Sequence, residues 1–127
     1  MTQTTVLLYN FTETEVKSWR LLMREMPMVK LMAVPKKLFG MIISDVLEEK
    51  ETPVFNFGSD FSQRMLLIAN AGDQMIHLLL SVCKRVTKEQ VLRAVLTETN
   101  AAWSGLELYR NLREEEDEIH RMQTRKL

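Results

Sequence analysis

A short apolar run that ends in asparagine occurs twice in the sequence, sixty positions apart. The first copy is Val6-Leu7-Leu8-Tyr9-Asn10, and the second is Leu66-Leu67-Ile68-Ala69-Asn70. Short runs of bulky apolar residues are typical of buried strands. The two runs therefore predict two buried strands of one sheet, each followed by a polar turn.

The similarity extends past each strand into the segment that follows it. Five apolar positions with helical spacing recur at the same offset, which is typical of a repeated unit. They are Val16, Trp19, Leu22, Met23 and Met26 in the first copy, and Ile76, Leu79, Val82, Cys83 and Val86 in the second. Weaker matches follow, such as Ala33-Val34 with Ala94-Val95. The alternative is that any two βα units look alike once their hydrophobic periods agree.

The predicted fold class is α/β, with two β-α-β-α halves from an apparent internal duplication that share one four-stranded sheet packed with helices. Residues 1–127 form a single domain by length. The predicted boundaries are 5–50 for the first repeat, 51–63 for the connecting segment, 64–118 for the second repeat and 119–127 for a tail. Half of the chain buries too little surface to be stable alone. The sequence leaves open whether the halves meet parallel or across a pseudo-two-fold axis.

Local signals place the individual elements. Thr12 and Glu15 have the spacing of a capping box at the start of the first helix, which Pro27 is expected to end. In the first half, a strand at 29–34 and a helix at 38–49 follow. In the second half, the predictions are a strand at 65–70, a helix capped by Asp73 that runs to Val86, and a last helix from about Leu108. The segment at 91–97 is ambiguous between helix and strand, and the repeat favours strand. Phe55, Phe57 and Phe61 of the connecting segment are expected to cover core, and the tail either frays or docks on a partner.

Composition narrows the classes of function. Lys+Arg and Asp+Glu both number 17, so the chain has no basic excess and nucleic-acid binding is disfavoured. The single cysteine, Cys83, excludes an intramolecular disulfide and is expected to be a buried spacer. The sequence has no apolar run long enough for a membrane span and no signal peptide at its start, which predicts a cytoplasmic protein. No metal ligand set and no cofactor are expected.

Polar side chains follow the predicted strands, where ligands bind in parallel α/β sheets. The candidate ligand-binding residues are Asn10, Asn70, Asp73, Thr97, Thr99 and Asn100. The same residue types are required by helix caps and tight turns, and this structural explanation is favoured. No catalytic group is assigned, because His77, Ser62 and Asp73 have no spacing that suggests a triad.

One stretch resembles a known family. The run Ala94-Val95-Leu96-Thr97-Glu98-Thr99-Asn100-Ala101-Ala102-Trp103, with Leu108 and the acidic helix after it, is similar to the signature of the DUF3783 family of uncharacterised bacterial proteins. The resemblance covers about residues 65–115, and the first half resembles a degraded copy with Pro35 and Lys36 in place of Thr and Glu. The resemblance implies a β-α-β-α unit and no particular activity.

Three functions stay open from the sequence. The leading hypothesis is a non-catalytic module that binds a protein partner or a small ligand. The second is a small enzyme whose site forms between the halves or between protomers. The third is a nucleic-acid module that uses Lys36, Lys37, Arg121, Arg125 and Lys126. A homodimer is also expected, because nine methionines, open sheet edges and a partly apolar tail call for a covering surface.

Overall fold

The computed structural model describes residues 3–50 and 61–125. Strands and helices alternate along the chain in two β-α-β-α passes. In order they are β1 (Thr5–Tyr9), α1 (Glu13–Leu22), β2 (Lys30–Val34), a 3-10 turn (Lys36–Leu38), α2 (Ile43–Leu47), β3 (Arg64–Ala69), α3 (Asp73–Val86), β4 (Val91–Val95), α4 (Glu98–Ala101) and α5 (Gly105–Arg125). No helix of the described residues is long and apolar enough to cross a bilayer.

The four strands form one sheet in the order β2-β1-β3-β4. Each outer strand runs parallel to its inner neighbour, whereas the two inner strands are antiparallel, with Leu7 opposite Leu67 at their centre. The mixed α/β fold with one four-stranded sheet is therefore confirmed. The halves meet across the β1–β3 pair in a way that approximates two-fold symmetry, and the internal duplication itself stays a prediction.

The sheet has helices on both faces, because alternate residues of its inner strands point in opposite directions. Val6 and Leu8 face α1 and α3, where Trp19 and Leu79 are both 0% exposed. Leu7 and Tyr9 face the other side, which α2 and the start of α5 cover. The inner strands are thus buried on both faces, as their continuous apolar runs predicted.

An aromatic cluster fills the core on the α5 side. The Tyr9 ring lies 5.2 Å from Phe39, and Phe61 stacks on Tyr109 with ring centroids 4.2 Å apart. Gly105 begins α5 directly above this cluster, where an added Cβ would lie 2.7 Å from the Tyr9 ring. Phe61 therefore covers core as expected, whereas the same expectation for residues 55 and 57 falls outside the described residues.

The capping box at the start of α1 is confirmed, and it also fastens the helix to the sheet. Glu15 accepts from the Thr12 N–H at 2.9 Å and from Arg64 Nε of β3 at 2.8 Å. Burial acts to raise the pKa of Glu15, but hydrogen bonds from Arg64, Thr12 and Thr87 outweigh it, so the pKa of this carboxyl lies below its usual value. The carboxylate thus joins two elements that are distant in sequence.

The helix predicted at 38–49 is wrong. Residues 36–38 form a 3-10 turn and only Ile43–Leu47 is α-helical. Between them the chain bends so that Ile42 bridges Ser104, while the Ile43 N–H donates to the Trp103 carbonyl at 2.8 Å. Pairing with the other half thus overrides the local helical period, and Gly40 lies in the bend.

Other boundaries also differ from the sequence prediction. Asp73 is the first residue of α3 rather than its cap; Gly72 occupies the cap position and offers no side chain. The ambiguous segment is a strand, as the repeat favoured, but it ends at Val95. The predicted break before a tail at residue 119 is absent from the described chain, because α5 continues as one helix to Arg125.

Candidate binding groove

The sequence-predicted site residues lie at opposite ends of the sheet. Because β1 and β3 are antiparallel, Asn10 follows β1 at one end, whereas Asn70 and Asp73 follow β3 at the other. Thr97, Thr99 and Asn100 follow β4 at the same end as Asn70, since β3 and β4 are parallel. Asn10 therefore lies at the opposite end of the sheet from the other candidate residues.

Asn10 and Asn70 perform the same structural task at the two ends of the β1–β3 pair. Both have left-handed backbone conformations, with φ of 66° and 61°, which asparagine tolerates better than most residues. The Asn10 side chain donates to the Phe61 carbonyl at 2.7 Å, just before β3, and the Asn70 side chain donates to the Gln3 carbonyl at 3.4 Å, just before β1. Each asparagine thus clasps the start of the neighbouring inner strand.

Replacing Asn10 by alanine is expected to lower the free energy of unfolding by about 1–2 kcal/mol, through lost hydrogen bonds and left-handed strain. Urea unfolding measures this loss. Asn111→Ala is the matched control, because the Asn111 amide donates only to Glu107 within its own helix. That control should change stability by less than about 0.5 kcal/mol. Equal stability of the two variants would contradict the clasp and favour a ligand contact for Asn10.

Thr97 and Asn100 form a second reciprocal box. The Thr97 N–H donates to Asn100 Oδ1 at 2.8 Å, and the Asn100 N–H donates to Thr97 Oγ1 at 3.1 Å. The Asn100 amide also donates to the Val95 carbonyl at 3.0 Å, and the residue is only 7% exposed. Its polar atoms are thus engaged by its own loop, whereas Asp73 and Thr99 are exposed.

A groove of about 540 Å³ lies along the outer edge of β4. The strand and the turn before it form the floor, and α3 and α5 form the two walls. Its lining comprises Leu80, Cys83, Lys84, Thr87, Glu89, Gln90, Val91, Leu92, Arg93, Leu112, Glu115, Glu116 and Ile119. None of the sequence-predicted site residues is among them.

The floor of the groove carries unpaired backbone groups. The Leu96 N–H donates to the Ile68 carbonyl, so residues 92, 94 and 96 direct their backbone toward β3. Val91, Arg93 and Val95 therefore direct their N–H and C=O groups outward. Of these six groups only the Val95 carbonyl has a hydrogen-bond partner within the described chain, the Asn100 amide.

The two walls differ in charge. Lys84 of α3 and Arg93, whose side chain points to the α3 face, make one side basic. Glu115 and Glu116 of α5 make the other side acidic, and Gln90 donates to Glu116 across one end of the groove.

Cys83 is buried in the basic wall, and burial raises the pKa of its thiol to about 11. This thiol therefore stays protonated at neutral pH and serves as a spacer.

This groove has no local signature in the sequence. Its walls come from residues 80–93 and 112–119, which are remote in sequence and share no motif. One signal was available, because a charged residue in the middle of a short strand, such as Arg93, is typical of a sheet edge. Among the described residues, no cluster of His, Cys, Asp and Glu is arranged to hold a metal ion.

The second half of the chain matches a known protein family. Residues 64–119 match the family described as Domain of unknown function (DUF3783), which confirms the resemblance seen in the second half. The matched segment carries β3, α3, β4, α4 and most of α5, and so it includes the whole groove. No curated protein and no solved structure matches the chain.

Proposed function

We propose that this chain is a non-catalytic module that binds an extended segment of a protein partner along the edge of β4. The observation that carries the proposal is the row of outward backbone groups at Val91, Arg93 and Val95, which lies in the floor of a walled groove. An extended peptide adds to such an edge as a further strand, and main-chain hydrogen bonds supply affinity.

The structure limits the length of the docked segment. Asn100 engages the Val95 carbonyl at one end of the strand, and the Gln90–Glu116 bond crosses the groove at the other. The open edge between them spans β4, which has five residues. A partner segment of about five residues fills it, since paired strands advance by nearly equal amounts per residue.

The charged walls supply specificity. Side chains of an added strand point alternately to the two faces of the sheet. One set meets Lys84 and Arg93 and the other meets Glu115 and Glu116. The preferred partner therefore alternates acidic and basic side chains, with acidic ones on the α3 side. Apolar groups fit beside Leu80 and Leu112 in the same walls.

The β4 edge is favoured over the β2 edge by its walls. Beside β4 runs α5, a helix of 21 residues, whereas the corresponding helix of the first half, α2, has five. A bare strand edge binds unselectively, while a strand between two walls selects side chains as well as backbone.

Arg93→Pro is expected to abolish peptide binding while the fold is kept. Proline removes the outward N–H of Arg93 together with its guanidinium, so it takes away both a backbone and a side-chain contact of the partner, and it suits an edge strand. Peptides selected from a random displayed library on the wild-type chain should lose binding to this variant by about tenfold or more, as measured by calorimetry. In the wild-type complex, amide hydrogen exchange at Val91, Arg93 and Val95 should slow.

The matched control is Ala94→Pro, one residue away, whose N–H faces β3. This change removes a ladder hydrogen bond and is expected to destabilise the fold by about 3 kcal/mol. The contrast verifies which face of the backbone is outward. Selected peptides that bind Arg93→Pro as well as wild type, or a selection that yields no peptide protecting β4 amides, would refute the proposal.

A further inference from the structure

Glu15 lies behind the β4 groove rather than in it, and its carboxylate holds three parts of the chain together. It accepts from the Thr12 N–H of its own capping box at 2.9 Å and from Arg64 Nε of β3 at 2.8 Å. The Thr87 hydroxyl, in the turn between α3 and β4, donates to the same carboxylate. The Glu15 side chain is only 12% exposed, so these donors take the place of most of its water.

The turn that Glu15 holds is part of the groove. Thr87, Glu89 and Gln90 all line the groove, whereas Glu15 does not. The Thr87 hydroxyl oxygen also accepts from the Glu89 N–H at 3.1 Å, so one hydroxyl fixes the turn from within and bonds Glu15 from behind. On the groove side, Gln90 donates to the acidic wall on α5. The turn is therefore tied at its back to α1 and at its front to α5.

Arg64 extends the same network to the start of β4. It is the first residue of β3 and stands opposite Val91, the first residue of β4. The hydrogen bond to Glu15 and the nearby Glu89 carboxylate both raise the pKa of the Arg64 guanidinium, which keeps its charge. Val91 carries the first outward N–H and C=O of the groove floor. Through Arg64 and Thr87, the Glu15 carboxylate thus fixes where the open edge begins.

We infer that Glu15 is a positioning residue for the β4 groove, because it sets the turn before β4 through the Thr87 hydroxyl and thereby the affinity for an added strand. This inference rests on the proposed function of the groove. Hydrogen bonds between paired strands need their donors and acceptors at a fixed spacing and weaken steeply when misaligned. A turn released from Glu15 shifts Val91 relative to α5, and the first pairing position is lost.

An ionised carboxylate suits this junction and an amide does not. A carboxylate offers acceptors on both of its oxygens, and the groups that meet Glu15 from Thr12, Arg64 and Thr87 all donate. Glu15→Gln places an NH2 group where one oxygen stands, so a donor then faces a donor. The change therefore breaks part of the network while it keeps the size of the side chain.

Residual dipolar couplings of the free chain, which report the orientation of N–H bonds, test the positioning without a ligand. Glu15→Gln and Thr87→Val should each change the couplings of residues 88–92. Thr12→Ala is the matched control, because it breaks the capping box at the Glu15 N–H while the Glu15 carboxylate keeps its donors. It should lower stability and leave these couplings as they are. Unchanged couplings in Glu15→Gln and Thr87→Val, or the same change in Thr12→Ala, would overturn the inference.

Peptide affinity separates positioning from direct contact. For a peptide selected on the wild-type chain, Glu15→Gln and Thr87→Val should each raise the dissociation constant by about fivefold or more, the scale of coupling within one hydrogen-bond network. The double variant should bind no more weakly than either single variant, because both changes break the same link. Thr12→Ala should bind with wild-type affinity.

Two results of the affinity measurement would overturn the inference. One is an unchanged affinity in Glu15→Gln. The other is an additive loss in the double variant, because Thr87 would then contact the peptide independently of Glu15. A selection that yields no peptide refutes the proposed function, whereas the couplings of the free chain decide whether Glu15 places the turn, whatever that selection gives.

Discussion

Trp19→Ala is expected to lower the free energy of unfolding by about 3–5 kcal/mol, the largest single effect among the changes considered. Trp19 is fully buried and anchors α1 to the sheet beside Val6 and Leu8. Its ring also meets Phe11 edge-on at 6.4 Å, a geometry that adds to area burial. Urea unfolding followed by circular dichroism measures the loss.

Trp19→Phe provides the graded control. The indole Nε1 is buried without a hydrogen-bond partner in the described structure, so phenylalanine removes an unsatisfied donor while keeping most of the ring. Its loss should be much smaller than that of alanine. If the phenylalanine variant were as unstable as the alanine variant, Trp19 Nε1 would have a hydrogen-bond partner. If Trp19→Ala lowered the free energy of unfolding by less than about 1 kcal/mol, the core position of Trp19 would be contradicted.

Asn100→Ala is expected to destabilise the chain by about 2–3 kcal/mol, more than an ordinary lost cap. Three hydrogen bonds of its side chain and backbone define the loop after β4, and its amide holds the Val95 carbonyl. Removing the buried side-chain amide leaves the Thr97 N–H and the Val95 carbonyl without these partners. Thermal and urea unfolding both report the effect.

The control for this loop is Thr99→Ala, because Thr99 lies beside Asn100 and is exposed. It should change stability by less than about 0.5 kcal/mol. Unchanged stability in Asn100→Ala would indicate that the loop tolerates the loss of its amide, and would return Asn100 to the ligand-binding candidates. The expected result instead assigns it to the fold.

The inner strands were predictable because their signals are local and agree with their surroundings. The continuous apolar runs of β1 and β3 match burial on both faces, and Thr12 and Glu15 make the capping box that their spacing indicated. The short α2 was not predictable in the same way. Its apolar spacing favours a longer helix, and only the bridge from Ile42 to Ser104 shows where the helix gives way to a bend.

Strand direction and the groove were beyond the reach of sequence patterns. An apolar run such as 66–70 has the same sequence pattern whether its strand is parallel or antiparallel to β1. The placement of Asn10 and Asn70 at opposite ends of the sheet therefore follows from tertiary structure alone. The candidate residues were identified by type, and that type serves turns and caps first. The groove is lined by ordinary charged residues such as Lys84, Arg93 and Glu115. They form walls of a site only because the open edge of β4 lies between them.

The antiparallel joining of β1 to β3 has a consequence for how the chain folds. Thr5 pairs with Lys30 and Arg64 with Val91, so each outer pairing closes within its own half. The β1–β3 pairs, such as Leu7 with Leu67, instead join positions about sixty apart in the sequence, a larger separation than in either outer strand pair. We expect this closure to limit the folding rate. Until it occurs, the two most apolar strands are sheet edges open to other chains, which makes this interval the one in which aggregation competes with folding.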